Sequence, residues 1–322
     1  MPYLAAALDP QLAGQQLRST AEPTLASCDV RQVRLLRHKV GRRALVEYTL
    51  EVRPEGQPPS PLTVLGKIRA RNLDRASYGL QRSLFRGGFS GEATDGIGVP
   101  EPLGVIPAWN MWLQRQVPGK MVGSLLTGPQ GEVLAGRVVD TAHKLHRSAA
   151  SPTRQHLMAD ELRILHERLG VLGNSHPDWQ SRLTRLLEAC DQLAARVPAP
   201  VLRPIHRDFY QDQLIVDGER LWLLDLDLCC WGDPALDIGN FCGHVTELAL
   251  RTLGSSDRLA PVEEALQRRF ARYHGEASRV AVQAYAALTL VRHISISARM
   301  EERQPFVGAL LELSEKQVGC LL

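Results

Sequence analysis

Charge of one sign is what this sequence most clearly lacks. Over 322 residues, 38 Lys and Arg stand against 35 Asp and Glu, a formal net charge of only +3. The basic residues are scattered among acidic ones, with no basic stripe interleaved with aromatics, so nucleic-acid binding finds no support. Cysteine is also sparse. The six thiols at 28, 190, 229, 230, 242 and 320 form no Cys-x-x-Cys pair and have no His-x-x-x-His companion. That argues against a zinc site or a disulfide framework and for a reducing, cytoplasmic compartment. Cys229 and Cys230 lie in an apolar stretch and read as small buried thiols. At the amino terminus the apolar run Leu4 to Leu8 has no basic segment before it and is cut by Asp9-Pro10, unlike a leader or an anchor. Repeats and low-complexity tracts are absent.

The composition that remains, 44% hydrophobic and 23% charged, is that of an ordinary globular chain without membrane spans. Its length exceeds the usual single core, so two domains or lobes are expected. Two β-rich runs, Val33 to Leu36 and Ala44 to Val52, flank the basic turn Lys39-Val40-Gly41-Arg42-Arg43 and predict a hairpin. A Pro/Gly-rich connection (53–61) leads to a third strand, Leu62 to Arg69. Apolar spacing over Leu73 to Phe85, closed by Gly87-Gly88, predicts a helix. Strands follow at Leu103 to Ile106 and Met111 to Val117, and Pro118-Gly119 ends the pattern. The expectation is an α+β, bilobal chain: a small antiparallel β lobe over residues 1–117 and a larger, mainly helical lobe over 118–322. Helical periodicity marks Val133 to His146, Ala159 to Leu169, Trp179 to Arg196, Val262 to Tyr273 and Arg279 to Arg299. One β segment interrupts them, Leu214 to Leu224, turning at Asp217-Gly218.

His206-Arg207-Asp208 stands before that hairpin and Asp225-Leu226-Asp227 after it. A hairpin returns the chain to within about 5 Å of its first strand, so Asp208 and Asp225 are expected to share one site. Phosphoryl transfer needs a carboxylate to orient or accept the proton of the attacking hydroxyl, and oxygen ligands for magnesium on the nucleotide phosphates. The plainer alternative is that both carboxylates cap turns. A hydrolase would need a nucleophile or metal cluster that the sequence does not display.

The run His206-Arg207-Asp208-Phe209-Tyr210-Gln211-Asp212-Gln213, then Asp225-Leu226-Asp227, then Trp231-Gly232-Asp233-Pro234-Ala235-Leu236-Asp237 resembles the aminoglycoside phosphotransferase and choline kinase family of the protein-kinase-like superfamily. That family carries His-x-Asp-x-x-x-x-Asn, a hairpin, Asp-x-Asp/Glu and Gly-Asp-Pro-x-x-Asp. The resemblance implies a protein-kinase-like fold and a small-molecule kinase using ATP, with GTP as the alternative, and Mg2+. Asp208 would be the catalytic base or hydroxyl-orienting group and Asp225 the principal metal ligand, with Asp227 a second contact placed on the same face by strand alternation. Gln213 stands where the family has Asn. Its carbonyl is still a hard oxygen donor, one methylene further out. Lys67 on the third strand is the candidate phosphate contact, with Gly66 allowing close backbone approach to a ligand; Arg69 points to the same side. Gly41 marks either a phosphate-covering turn or a solvated basic one. Adenine would lie against Gln114 to Val117 through backbone groups. The helix after the third strand lacks the Glu that would pair with Lys67, and Gln81 or Glu92 are the substitutes. His206 reads as a buried loop organiser, and Asp233-Pro234 as a helix N-cap and first residue.

The acceptor is open among sugar-like compounds, amino alcohols and aminoglycosides; a 5% aromatic content weakens a choline-type cage. Partners beyond a small-molecule hydroxyl substrate are not indicated, and oligomeric state leaves no signal. The rival expectation is a degenerate kinase fold that binds nucleotide without turnover.

Overall fold

The computed structural model describes residues 1–53, 56 and 58–322. The predicted connection over 53–61 thus includes Pro54, Glu55 and Gln57, which lie outside the described residues. The chain divides into two compact units, Met1–Gly119 with Asp217–Leu226, and Lys120–Val216 with Asp227–Leu322.

The first unit opens with helices α1 (Leu4–Leu8) and α2 (Pro10–Arg18). Asp9-Pro10, read above as an interruption, starts α2: the Asp9 carboxylate accepts the Gln11 and Leu12 N–H groups, each at 2.9 Å, and Pro10 takes the first helical position, where no N–H is missed. Strands β1 (Cys28–Lys39), β2 (Arg43–Val52) and β3 (Ser60–Arg69) follow, then helix α3 (Arg75–Arg86) and strands β4 (Ile97–Gly98), β5 (Pro102–Ile106) and β6 (Met111–Arg115). Five of these form an antiparallel sheet in the order β1-β2-β3-β6-β5. Alternation decides its faces. In β3, Leu62, Val64, Gly66 and Ile68 enter a core shared with Leu17, Tyr48 and Met111, and Lys67 and Arg69 take the other face. A Cβ on Gly66 would meet Met111 Sδ at 2.7 Å. Gly66 therefore serves close packing beneath the sheet, which corrects the expectation that it admits a ligand. Helix α3 is capped by Asp74, whose side chain accepts the Ser77 N–H at 3.0 Å, and ends at Gly87. The strand Arg220–Leu223 also belongs to this unit and pairs in parallel with β4.

The second unit begins with β7 (Lys120–Met121), followed by α4 (Gly131–His146), α5 (Met158–Ser175), α6 (Gln180–Ala195), β8 (Arg203–Ile205) and β9 (Leu214–Asp217). With Arg220–Leu223 counted as β10, the chain continues through β11 (Cys230–Gly232), α7 (Pro234–Leu253), α8 (Ala260–His274), α9 (Ser278–Ser297) and α10 (Val307–Leu321). Strand β7 pairs with β9, and β8 with β11. α9 is long and apolar enough to cross a membrane, but 72% of its apolar window is buried inside the protein, so packing accounts for its composition. α7 is at least as buried, and its Gly254, at φ 73°, closes it in the left-handed conformation. Two further glycines bring α7 and α9 together. A Cβ on Gly239 would fall 2.4 Å from Tyr285 Cβ, and one on Gly243 would fall 2.7 Å from Thr289 Cβ and 2.8 Å from the Ala286 carbonyl.

That contact sets a test of packing. Gly243→Ala forces a methyl against backbone and should cost about 1–3 kcal/mol in thermal or denaturant unfolding. Gly170→Ala on α5, where nothing lies within 4 Å of the added carbon, should instead be neutral or gain about 0.5–1 kcal/mol. Equal effects at the two positions would contradict the close packing of α7 on α9.

Candidate active site

In the second unit, the segment between β8 and β9 is held by one face of α7. Asp237, fully buried, accepts the backbone N–H of His206 at 2.9 Å and of Arg207 at 2.7 Å, and its Oδ2 lies 2.8 Å from His146 Nε2 on α4. One helical turn on, Asn240 Nδ2 donates to the Phe209 carbonyl at 2.9 Å. Asn240 Oδ1 in turn accepts from Thr289 at 3.3 Å and from the Arg292 guanidinium. Phe209 is buried between His206 and Phe241, with ring centroids 5.8 and 5.5 Å away. Positions 237, 240 and 241 lie at i, i+3 and i+4, so a single helix stripe grips the loop. The grip offsets strain, because Arg207 has φ 71°, a conformation that costs a non-glycine residue about 1–3 kcal/mol. Asp233 caps α7 by accepting the Ala235 N–H at 2.9 Å, and burial raises its carboxyl.

The loop delivers Asp208 to the wall of a cavity of about 690 Å³ that lies within the second unit. Behind it Gln213, buried, donates its amide Nε2 to Asp208 Oδ2 at 3.4 Å. His206 is fully buried, as the sequence suggested. Asp227 lies in a short 3-10 turn, Leu226–Leu228, and its carbonyl accepts from Arg154. Strand β10 ends at Leu223 and Asp225 has φ 50°. The alternation that was to put Asp227 on the face of Asp225 thus has no strand to act through, which corrects that step of the argument.

In the first unit, Lys67 Nζ lies 3.8 Å from Asp225 Oδ1 and 4.7 Å from the centre of the Trp112 ring. Lys67 and Trp112 are register partners across β3 and β6, so the sheet itself sets the ammonium over the indole. Both partners of the ion pair keep some solvent contact, 21% for Lys67 and 35% for Asp225, and such a pair contributes under about 1 kcal/mol. Arg69, the rival cation, is occupied by Asp74 at 3.2 Å. Gln81 is not a substitute for the missing helix glutamate: its amide donates to the Pro100 carbonyl at 2.7 Å and to Gln114 Oε1 at 3.3 Å. The buried Gln114 side chain is thereby committed inside the unit. Beyond β6 the Gln116 N–H returns to the Thr63 carbonyl at 2.9 Å, leaving Val117 at the end of the sheet. Gly41, φ 66°, sits at the tip of the β1–β2 hairpin with open space around its α-carbon. Lys39 at this tip is lowered by the charges of Arg37 and Arg43.

Among the described residues no three His, Cys, Asp or Glu side chains form a preformed metal cage. Asp225 in the first unit, and Gln213 and Asp227 in the second, each carry a hard oxygen, the donor type magnesium prefers.

Several contributors escaped the sequence. His146 lay in a predicted helix but carried no sign of its Asp237 contact. Glu161 on α5 is buried and bonded to His156 at 2.6 Å and Arg292 at 3.0 Å. Burial alone would raise its carboxyl; the His156 hydrogen bond and the Arg292 charge outweigh that and hold it at about 2. Asn240 had a usable signal, its place one turn after Asp237.

The fold is similar to those of several solved structures. A choline/ethanolamine kinase family protein from Mesorhizobium loti is 18% identical, with 95% of this chain and 94% of that one covered at a TM-score of 0.63. A choline kinase from Cryptosporidium parvum is 12% identical, with 97% and 96% covered at 0.60. A spectinomycin phosphotransferase solved with ADP and spectinomycin is 8% identical, with 96% and 98% covered at 0.59. At such identities the likeness carries the fold, which is the α+β, kinase-like bilobal one. No curated protein matches this chain. The profile of the phosphotransferase enzyme family matches residues 93–288, a stretch holding the His206–Gln213 loop, the hairpin and the first half of α9, and on that match the chain belongs to the phosphotransferase enzyme family.

Proposed function

We propose that this protein transfers the γ-phosphoryl group of ATP, with magnesium, to a hydroxyl of a small molecule bound in the cavity beside Asp208. The observation that carries this reading is the pinned loop: a carboxylate held by α7 lines a cavity large enough for a small metabolite. Asp208 orients the acceptor hydroxyl and takes its proton as the new oxygen–phosphorus bond forms and the bond to the departing ADP breaks. Gln213, donating to Asp208 Oδ2, fixes the carboxylate so that its other oxygen faces the acceptor. Lys67 binds nucleotide phosphate, and its long contact to Asp225 keeps the ammonium oriented without binding it tightly. Gly41 and the backbone of Gln114 to Val117 serve the nucleotide as well. Asp225, with Gln213 and Asp227, would hold magnesium, which when bound neutralises phosphate charge.

The second reading, a nucleotide-binding module without turnover, draws on Gln213 standing in the place of Asn and on the absence of a glutamate from α3. The two readings separate in one assay. Asp208→Asn should lower transfer from ATP by about 10²–10⁴-fold while nucleotide affinity stays within a few fold of the parent. Turnover equal to the parent would remove Asp208 from the chemistry. Asp225→Ala should act on the other half and weaken nucleotide binding only when magnesium is present. Calorimetric titrations giving the same affinity with and without the metal, in parent and variant alike, would remove Asp225 as its ligand.

A further inference from the structure

The cavity beside Asp208 is rich in arginine. Five guanidinium groups, from Arg168, Arg207, Arg251, Arg292 and Arg303, line it against three carboxylates, Asp208, Asp212 and Glu247. Ion pairing accounts for only part of this. Glu247, buried, holds Arg251 at 2.8 Å and Arg303 at 3.6 Å, and Glu161, behind the wall, holds Arg292 at 3.0 Å. Among the described residues no carboxylate lies within 4.0 Å of the Arg168 or Arg207 guanidinium. Arg168 is partly buried, and that burial together with the charges of Arg292, Arg299 and Arg207 lowers its guanidinium. Gathered like charges cost free energy unless a counter-charge arrives. A guanidinium fork matches the two oxygens of a carboxylate or phosphate group in particular.

Hydrogen-bonding groups in the same wall are also unspent. Gln211 Oε1 and both ring nitrogens of His293 are buried and have no hydrogen-bond partner among the described residues. Burial, with Arg292, Arg303 and Arg251 nearby, pushes His293 down to about 3, so the ring is neutral and offers one donor and one acceptor. These groups suit the hydroxyls of a polyol.

We infer that the acceptor site takes a hydroxylated compound bearing an oxyanion, a carboxylate or a phosphate ester, with Arg168 and Arg207 as the residues that receive it. The inference rests on the phosphotransferase reading for the word acceptor, but the anion site stands on the cavity itself. It disfavours aminoglycosides and amino alcohols, whose ammonium groups would meet the guanidinium excess.

The test uses the full chain saturated with magnesium and the non-hydrolysable analogue AMP-PNP, so that nucleotide subsites are filled. Inorganic phosphate, acetate and tetramethylammonium are titrated by calorimetry at ionic strength matched with chloride. Phosphate or acetate should bind above the chloride background, and tetramethylammonium should not; phosphate ahead of acetate points to a phosphate ester, the reverse to a carboxylic acid. Arg168→Gln should weaken the anion by about ten-fold or more, the worth of a charge-assisted hydrogen bond. Arg168→Lys, which keeps the charge and loses the fork, should recover part of it, and it serves if the first variant does not fold. No anion binding in the parent, equal binding in Arg168→Gln, or loss of the anion when AMP-PNP is added would overturn the proposal; the last would assign the arginines to the nucleotide. The two readings fail separately. An anion site sensitive to Arg168, with ATP left unconsumed in the presence of gluconate, glycerate and glucose 6-phosphate, removes the transfer reading alone. Transfer to glucosamine or choline by a chain indifferent to phosphate and acetate removes the anion site alone.

Discussion

One buried carboxylate organises the second unit. Asp237 collects two backbone N–H groups from the segment that leads to Asp208, together with the ring of His146. A carboxylate in so dry a place is costly unless every oxygen is engaged, and here the engaged partners are the backbone atoms whose position matters. The strained turn at Arg207 and the anchoring of α7 against α4 are two results of the same contact. Asn240 extends it to Phe209 on one side and to Arg292 on the other. The loop therefore communicates with the arginine-rich cavity through a short chain of hydrogen bonds.

Electrostatically the two units carry different tasks. In the first, one ammonium rests over an aromatic face and near one carboxylate, a weak and reversible arrangement that leaves Lys67 free to exchange partners. In the second, Glu161 and Glu247 are buried and tightly paired while Arg168 and Arg207 keep unspent charge. Formal charge summed over the whole sequence, +3, conceals this local imbalance. Acidic and basic residues nearly balance along the chain, yet folding sorts them so that one wall is cationic.

The parts of the fold readable in the sequence were those with a local cause. The β1–β2 hairpin follows from its glycine turn and alternating strands, α3 from helical apolar spacing and a Gly stop, and α7 from Asp233-Pro234. Asp208 and Gln213 could be picked out because their spacing matches a known pattern. What escaped depends on residues distant in sequence. His146 and Asp237 are 91 positions apart and Arg292 and Glu161 131 apart, and neither pair leaves a trace in periodicity. The two amino-terminal helices were overlooked because Asp9-Pro10 reads equally as a break and as a helix start. The 3-10 turn after Asp225 reads with strand alternation because Asp225, Leu226 and Asp227 alternate polar and apolar.

The assignment of Asp217–Leu226 to the first unit has a consequence for biosynthesis. Among the described residues, β4 has its parallel neighbour in Arg220–Leu223, and Lys67 has its carboxylate at Asp225. Both lie about a hundred residues downstream of the point where the unit first appears finished. A ribosome that has released residues 1–119 has produced the five-stranded sheet, with the separate short strand β4 still unpartnered and one cation still unanswered. Domains commonly fold as units during translation, but this one can be completed only after α4, α5 and α6 have emerged, so the amino-terminal unit must hold a provisional form while the middle of the chain is made.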